Sequence, residues 1–531
     1  MKTGGKSLIV MLVSVMVLFS GCGKTNTGTT PSSQDSGNVS QSEKGGGILR
    51  YGLSAEPAIL EPVLAQGIAK RIITQSMYRG LMTYTKDGEI ITDIAESVDV
   101  GSDNKTYTIK LRDVKFHNGD TLTSEDVKFS FERILNPEYG ASFRHELSII
   151  DRMETPDDKT IIFALKEECA PFKHYLALPE SAILSKSYTE AHDSNLDTEP
   201  MGAGPFKFVE WNKGQNIIVE AFRDYYVDNK PKVDRIEFSF YADDDARTNA
   251  LKSGEVDLID YVPWKDIPSL ENDPEIKLDQ QNGPVMILSF NTNVKPLDDP
   301  KVRQAISYAI NRDNVINTAF NGRGTPCYGF VFNEGFLGYN SSQTKYFEYN
   351  IEKAKKLLAD AGYPNGFSCR LLSSSSYSMH QQTAIAVQSD LKKIGIELTL
   401  DLPDWATRMS KVGEKNYDIF INAMTGDYSD PDWLSNFMQS GAHTFNKSAD
   451  FADAEVDRLL MEGRKTLDET QRGKIYEQLI DRLLELSPHV FLNWREQTSA
   501  MRVNVNGFAQ RPGYLCLSQS GLILEDISLS K

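Results

Sequence analysis

Cysteine is scarce in this chain of 531 residues: five in all, at positions 22, 169, 327, 369 and 516, with no C-x-x-C pair. Histidine is nearly as rare, with seven residues and no H-E-x-x-H run. No G-x-S-x-G run occurs either. These absences leave no signature of a hydrolase or a metalloenzyme. Basic residues are outnumbered, 57 Lys and Arg against 74 Asp and Glu, for a net charge of −17. That balance argues against nucleic acid, which needs basic patches. It is compatible with cationic ligands, although solubility alone also explains it. Beyond residue 21 no stretch is long and apolar enough to span a bilayer, for which about 20 residues are needed. There is no internal repeat. Gly5-Lys6-Ser7 lacks the upstream glycine and strand of a phosphate loop, and no helix follows the glycine-rich turn Met201 to Phe206.

What is present begins at the N-terminus. Lys2 and Lys6 precede an apolar run from Leu8 to Phe19, and small residues lead to Cys22. This is the pattern of a secretion signal. Leu18-Phe19-Ser20-Gly21-Cys22 resembles the bacterial lipoprotein box, which implies cleavage before Cys22 and lipidation of its sulfur. The departure is Phe19, where the box usually has leucine. Residues 23–47 are mostly Gly, Ser, Thr, Asn and Gln and cannot bury a core, so 22–47 is expected to be a flexible tether. The whole chain is 40% hydrophobic, enough for a sizeable core, and the length after the tether suggests about three domains. Cys169, Cys327, Cys369 and Cys516 allow three full pairings, and export permits a disulfide without requiring one.

Strands and helices alternate along the rest. Ile48 to Leu53 reads as a strand and Ala65 to Arg79 as a helix ended by Gly80. Thr106 to Arg112 alternates as a half-buried strand, and Thr123-Ser124-Glu125-Asp126 opens a helix that stops at Asn136-Pro137. Further strands are expected at Thr160 to Leu165, 206–208, 217–219, Val233 to Phe240, Leu258 to Tyr261 and Met286 to Phe290. Helices follow at Asp299-Pro300, after Asn311, after Asn350 and around Ala384 to Ile394. Leu371-Leu372, Ile396 to Leu400 and the strand starting at Tyr417 complete a β-α-β order, for which a parallel crossover is expected. Phe451 to Leu460 and Thr470 to Leu486 read as amphipathic helices. Val490 to Leu492 and Thr498 to Val503 are expected as two returning strands.

One stretch stands out, Tyr417 to Trp433. The apolar run Ile419, Phe420, Ile421 is short enough for a buried strand, and Thr425-Gly426 breaks it into a loop with Asp427, Asp430 and Asp432. Asp430 can cap a helix whose first residue is Pro431, and Asp432 favours its positive end. Asp427 lies at the carboxyl end of a strand, where open α/β sheets bind ligands. A carboxylate there can hold an ammonium group. An ordinary solvated loop aspartate is the plainer alternative, and the residues by themselves favour it.

Several runs taken together resemble the extracytoplasmic solute-binding proteins of peptide and nickel ABC importers. They include Val114-Lys115-Phe116-His117-Asn118-Gly119-Asp120 through Phe131-Glu132-Arg133, then Gly202-Ala203-Gly204-Pro205-Phe206 with Trp211 and Gly214, and Asp224-Tyr225-Tyr226. Val302-Arg303-Gln304-Ala305 through Arg312, Gly322 to Pro326, Ala354 to Leu358 with Ala361 to Pro364, and Asp427 to Asp432 follow in the family's order. The resemblance implies a two-lobed α/β periplasmic-binding-protein-like fold with a hinge. Lobe I is expected from 48–79, 201–283 and 488–531, an inserted subdomain from 80–200, and lobe II from 284–487.

In peptide-binding relatives an aspartate in this loop pairs with the ligand's α-ammonium, and by position it is Asp427. Trp405 matches a tryptophan that lines the pocket, with a core tryptophan as the alternative, and Tyr428, beside Asp427, is expected to bind the ligand as well. Relatives often carry Gly-Trp before the loop; here Ala423-Met424 stands instead. Dipeptide binders place an arginine after the strand at Leu371 for the ligand carboxylate; here the residues are Ser373 to Ser376 and Tyr377. Either longer peptides bind without that clamp or another group serves, with Arg495 a candidate. The implied function is capture of peptides outside the cell for an ABC permease and its ATPase. The implied protein is a monomer with no cofactor, no metal and no catalysis, held by its lipid to the outer face of the cytoplasmic membrane, or in the periplasm if the host has an outer membrane. A nickel chelate or an oligosaccharide is the alternative solute, and an exported enzyme or a signalling receptor the alternative class.

Overall fold

A computed structural model describes residues 46–530 except 65–66, 193–195, 229–230, 443–446 and 514. The expected signal 1–21, Cys22 and most of the tether lie outside the described residues. The fold is α/β, as expected. Its frame is a mixed sheet of eleven strands. In chain order these are β1 (Ile48–Leu53), β2 (Phe206–Asn212), β3 (Asn216–Ala221), β4 (Arg235–Phe240), β5 (Leu258–Ile259), β6 (Ile276–Phe290), β7 (Gly324–Pro326), β8 (Phe367–Leu372), β9 (Ile396–Asp401), β10 (Ile419–Met424) and β11 (His489–Arg502). Across the sheet the order is β9-β8-β10-β6-β11-β5-β1-β4-β3-β2, with β7 on β11.

Two strands, β6 and β11, carry the sheet from one half to the other. Each is longer than its sequence suggests. Ile276 to Pro284 is rich in polar residues and contains Gly283-Pro284, so only the apolar second half reads as a strand. The ladder accommodates that dipeptide with a register shift between Asn282 and Val285. In β11 the expected two strands are one, because Asn493 to Gln497 continues the ladder and all but Glu496 of those five residues are buried despite their polarity. On one side β8 pairs parallel with β9 and β10, as the β-α-β order predicts. On the other, β1 pairs parallel with β4 and β5. A separate four-stranded antiparallel sheet, Ala95–Val100, Thr106–Leu111, Thr160–Leu165 and Ile150–Asp157, falls within the span expected to be inserted.

Helix α1 (Ile68–Met77) buries Ile72, Ile73 and Met77 against Leu49, Tyr51 and Phe238. Each such side chain contributes roughly 1.5–3 kcal/mol when fully buried. The helix ends before Gly80 because the turn at Gly202 and Gly204 lies against its last carbonyls. A Cβ at Gly202 would sit 2.1 Å from the Met77 oxygen, and Gly204 N donates to that oxygen at 2.8 Å. The glycines of this turn are there for close backbone approach. Helices α2 (Ser378–Lys392) and α3 (Trp405–Gly413) follow β8 and β9, and α4 (Ala454–Lys465) and α5 (Glu469–Leu486) precede β11. Cys169, Cys327, Cys369 and Cys516 are all free thiols. No helix among the described residues is long and apolar enough to cross a membrane.

Candidate functional site

The strand registers bring the carboxyl ends of the two halves together. Met424, the last residue of β10, is level with Val285 on β6 and Trp494 on β11. Strand β5 runs the opposite way, with Ile259 level with Ala500 and the Val262 amide on the Thr498 carbonyl at 3.1 Å. Both sets of strands therefore end near residues 494–498 of β11. The loops released there are 425–430 from β10, 373–377 from β8, 402–404 from β9 and Asp260-Tyr261 from β5. Ligands of open parallel sheets bind at such ends.

Asp427 stands on the first of these loops and already has a partner. Its Oδ1 accepts from Arg71 Nη1 at 2.9 Å, and Arg71 Nε donates to Glu180 Oε1 at 3.0 Å. Burial opposes the charge on Arg71, but Glu180 and Asp427 more than offset it and hold the guanidinium above its ordinary range. Burial pushes the Glu180 carboxyl up against the pull of Arg71. One guanidinium and two carboxylates leave the trio with a formal charge of −1. Asp427 is the exposed member, at 24% of its side chain against 4% for Glu180.

The rest of the Tyr417 to Trp433 stretch supports that loop. Asp430 caps the short helix Pro431–Leu434 through the Asp432 amide, as read from the sequence. Arg472 on α5 also grips it with two hydrogen bonds, 2.6 and 2.7 Å. Burial alone would raise the Asp430 carboxyl; Arg472 reverses this and holds it below the usual range. Asp432 is fully buried and accepts from the Tyr175 hydroxyl at 2.5 Å and from Arg464 on α4 at 3.0 Å. Tyr428 lies beneath the loop and not on its surface. It is buried edge-on to Tyr175, and its hydroxyl donates to Asp432 at 3.3 Å.

Trp405 opens α3 as a half-buried wall. Its ring meets Tyr377 edge-on at 5.0 Å and His380 at 5.5 Å, and the Arg408 guanidinium lies 4.4 Å from its centroid. The serine run Ser373 to Ser376 ties the loops together: Ser376 Oγ accepts from the Trp405 amide at 3.0 Å. Arg495 reaches the following residues from β11. Its Nη1 lies 3.3 Å from the Met379 sulfur, and its Nη2 donates to the Tyr261 hydroxyl at 2.9 Å. Tyr261 has φ +48, an unusual conformation for a bulky residue. Burial, then Arg408 and Arg495, push His380 down to about 3, so it stays neutral.

Sequence reasoning missed Arg71, Glu180, Tyr261, His380 and Arg408. Only Arg408 carried a local signal, one helical turn after Trp405. No cluster among the described residues has the makings of a metal site. A cavity of about 500 Å³ lined by Arg79, Asp93, Tyr226 and Glu525, among others, lies elsewhere, and Arg79 in its wall pairs with Glu525 at 2.8 Å and with Asp93 at 3.6 Å. It reads as a structural joint.

Comparison with known proteins agrees with this architecture. The family model for bacterial extracellular solute-binding proteins, family 5, matches residues 89–446. The glutathione-binding protein GsiB of Pectobacterium atrosepticum is 31% identical over 471 residues, 86% of this chain and 90% of that protein. Among solved structures, the binding protein AgaA from A.tumefacien R10, in complex with agropinic acid, is 47% identical with a TM-score of 0.83, covering 91% of this chain and 99% of its own. The ABC transporter-associated periplasmic binding protein DppA from Helicobacter pylori, in complex with the peptide STSA, is 27% identical with a TM-score of 0.81, covering 92% and 99%. The chain belongs to the bacterial extracellular solute-binding proteins of family 5.

Proposed function

We propose that this protein captures a peptide or peptide-like solute outside the cell and hands it to an ABC permease. The observation that carries this reading is the convergence of both halves' strand ends on β11, with Asp427 on one rim and Arg495 on the other. The names of the relatives point the same way, since GsiB is described as glutathione-binding and DppA is complexed with a peptide. The role is binding without chemistry. Lobes divided near Gly283-Pro284 close over the solute about the crossing strands β6 and β11, and a lipid on Cys22 holds the monomer to the outer face of the membrane. Asp427 contacts the ligand amine through the oxygen that Arg71 leaves open, and Trp405 walls the pocket. Tyr428 holds the loop from below.

A second reading has a specific observation behind it. Arg71 already neutralises much of Asp427, so a free amine is a weaker requirement here than an unpaired aspartate would make it. AgaA, complexed with agropinic acid, is the relative that suggests a non-peptide acid. Native mass spectrometry of protein purified without denaturation tests both readings by weighing the retained solute. A peptide mass is expected; the mass of a non-peptide acid such as agropinic acid would favour the second reading. Small-angle scattering with and without the solute should show a smaller radius when bound, and an unchanged profile at saturation refutes closure.

A further inference from the structure

Arg495 is buried, 5% exposed, and its setting differs from those of Arg472, Arg464, Arg303 and Arg312. Arg472 and Arg464 each face a carboxylate. Arg303 and Arg312 spend their donors on backbone carbonyls, those of Leu297, Leu486 and Ser487 for the first and of Ser307, Ile310 and Phe491 for the second. Arg495 has neither. Among the described residues its partners are a thioether sulfur and a tyrosine hydroxyl, no carboxylate lies within 4.0 Å, and its Nε has no partner. A buried charge without a counter-charge is costly to the fold.

The surroundings deepen the deficit. Arg408 is fully buried with no carboxylate partner, its Nη2 on the Ile421 carbonyl at 2.6 Å and its Nε unpartnered. His380 faces both arginines and brings no charge of either sign. Asn493 precedes Arg495 by two residues, so its side chain leaves the same face of β11. It is fully buried, and neither its amide oxygen nor its nitrogen has a partner. The Tyr261 hydroxyl accepts from Arg495 and still has a proton to donate.

The geometry points to a carboxylate seat in which the Arg495 guanidinium, the Tyr261 hydroxyl and the Asn493 amide receive an acidic group of the solute. This rests on the solute-capture reading and narrows it to solutes that carry a carboxylate. Arg408 adds to the positive field without touching the ligand. Strands β10 and β11 flank β6 and so lie about 10 Å apart. The trio at Asp427 has a net negative charge and the seat a positive one. A short zwitterion, with its amine towards Asp427 and its carboxylate towards Arg495, matches that dipole.

The test is calorimetry with four probes: the dipeptide Met-Leu, its C-terminal amide, sodium propionate and propionamide. Wild type should bind Met-Leu on the order of 100-fold more tightly than the amide. Arg495→Gln should lose that factor on the acid and no longer distinguish the pair. Arg495→Lys, which keeps the charge, should retain part of the preference, and Asp427→Asn should retain all of it. Equal binding of acid and amide to wild type overturns the seat, as does a preserved preference in Arg495→Gln. If wild type ignores Met-Leu altogether, the peptide reading fails and the simpler probes decide the seat. Propionate, and not propionamide, should then raise the melting temperature of wild type and leave that of Arg495→Gln unchanged. The same shift in both proteins overturns the proposal.

Discussion

Asp427 and Asp430 lie three residues apart in one loop, yet replacing each with asparagine should have very different consequences. The Asp430 and Arg472 side chains are each 5% exposed and meet through two hydrogen bonds. Asp430→Asn can keep the cap on the Asp432 amide but strands the Arg472 charge with the Gly463 carbonyl and the Tyr476 hydroxyl. Breaking one side of a buried pair costs about 3–5 kcal/mol. Asp427 is 24% exposed, makes a single contact with Arg71, and leaves Arg71 its bond to Glu180 when removed. Solvent screening holds that cost to about 1 kcal/mol. Urea unfolding of the ligand-free variants should show this gap as a shift in midpoint at constant slope. For binding the ranking inverts. Asp427→Asn should weaken a free-amine peptide by about 2 kcal/mol or more and barely distinguish it from the N-acetylated form, a coupling that a double-mutant cycle isolates. Asp427→Asn destabilising the fold as much as Asp430→Asn, or additive losses in the cycle, would refute the division of labour.

Three further outcomes are expected, two from the structure and one from the sequence at Cys22. Burial, helped more weakly by the charges of Asp432 and Asp427, pushes the Glu146 carboxyl up to about 7 from an ordinary 4.5, against a bond to Asn436. The folded protein therefore keeps a proton that the unfolded chain releases. The stability this lends is full below about pH 4.5 and falls by about 3 kcal/mol as pH rises to about 7. Glu146→Gln should thus melt higher than wild type at pH 8 and similarly at pH 4.5; a pH-independent difference contradicts this. Gly202→Ala places a Cβ against the Met77 oxygen and should cost at least 1–3 kcal/mol, roughly, in thermal unfolding, whereas Gly413→Ala meets nothing within 4 Å and should be neutral or stabilising. Cys22→Ala should release the protein from membranes, and a wild-type mass without a diacylglyceryl group would exclude the anchor.

The parts of the fold legible in the sequence are those whose burial has a period. Ile48–Leu53 and Thr160–Leu165 form strands with the expected bounds, and Asn311 and Asn350 cap helices where expected. What the sequence hid were the two crossing strands. A strand that runs from one half of a sheet to the other passes through both a core and a cleft. Its polarity therefore changes along its length, and no single period describes it. Gln280 to Gly283 and, apart from Trp494, Asn493 to Gln497 are polar, and they lie where the strand ends of the two halves converge, the proposed solute site.

The site was half legible for a related reason. Asp427 and Arg495 are visible as charges, but their meaning depends on partners that sequence distance conceals. Arg71, 356 residues from Asp427, supplies its counter-charge, while Tyr261, 234 residues from Arg495, supplies a neutral hydroxyl. Formal charge would rank the aspartate as the open binding group and the arginine as an ordinary ion-pair member of the fold. Pairing reverses that order. The carboxylate is largely satisfied from within the protein, and the guanidinium is buried without a counter-charge. In a buried site the unpaired charge has the most to gain from a ligand, because its desolvation is already incurred in the folded protein. Selectivity in this cleft should therefore follow the ligand's acid more steeply than its amine, the reverse of the order that the loop aspartate alone suggests.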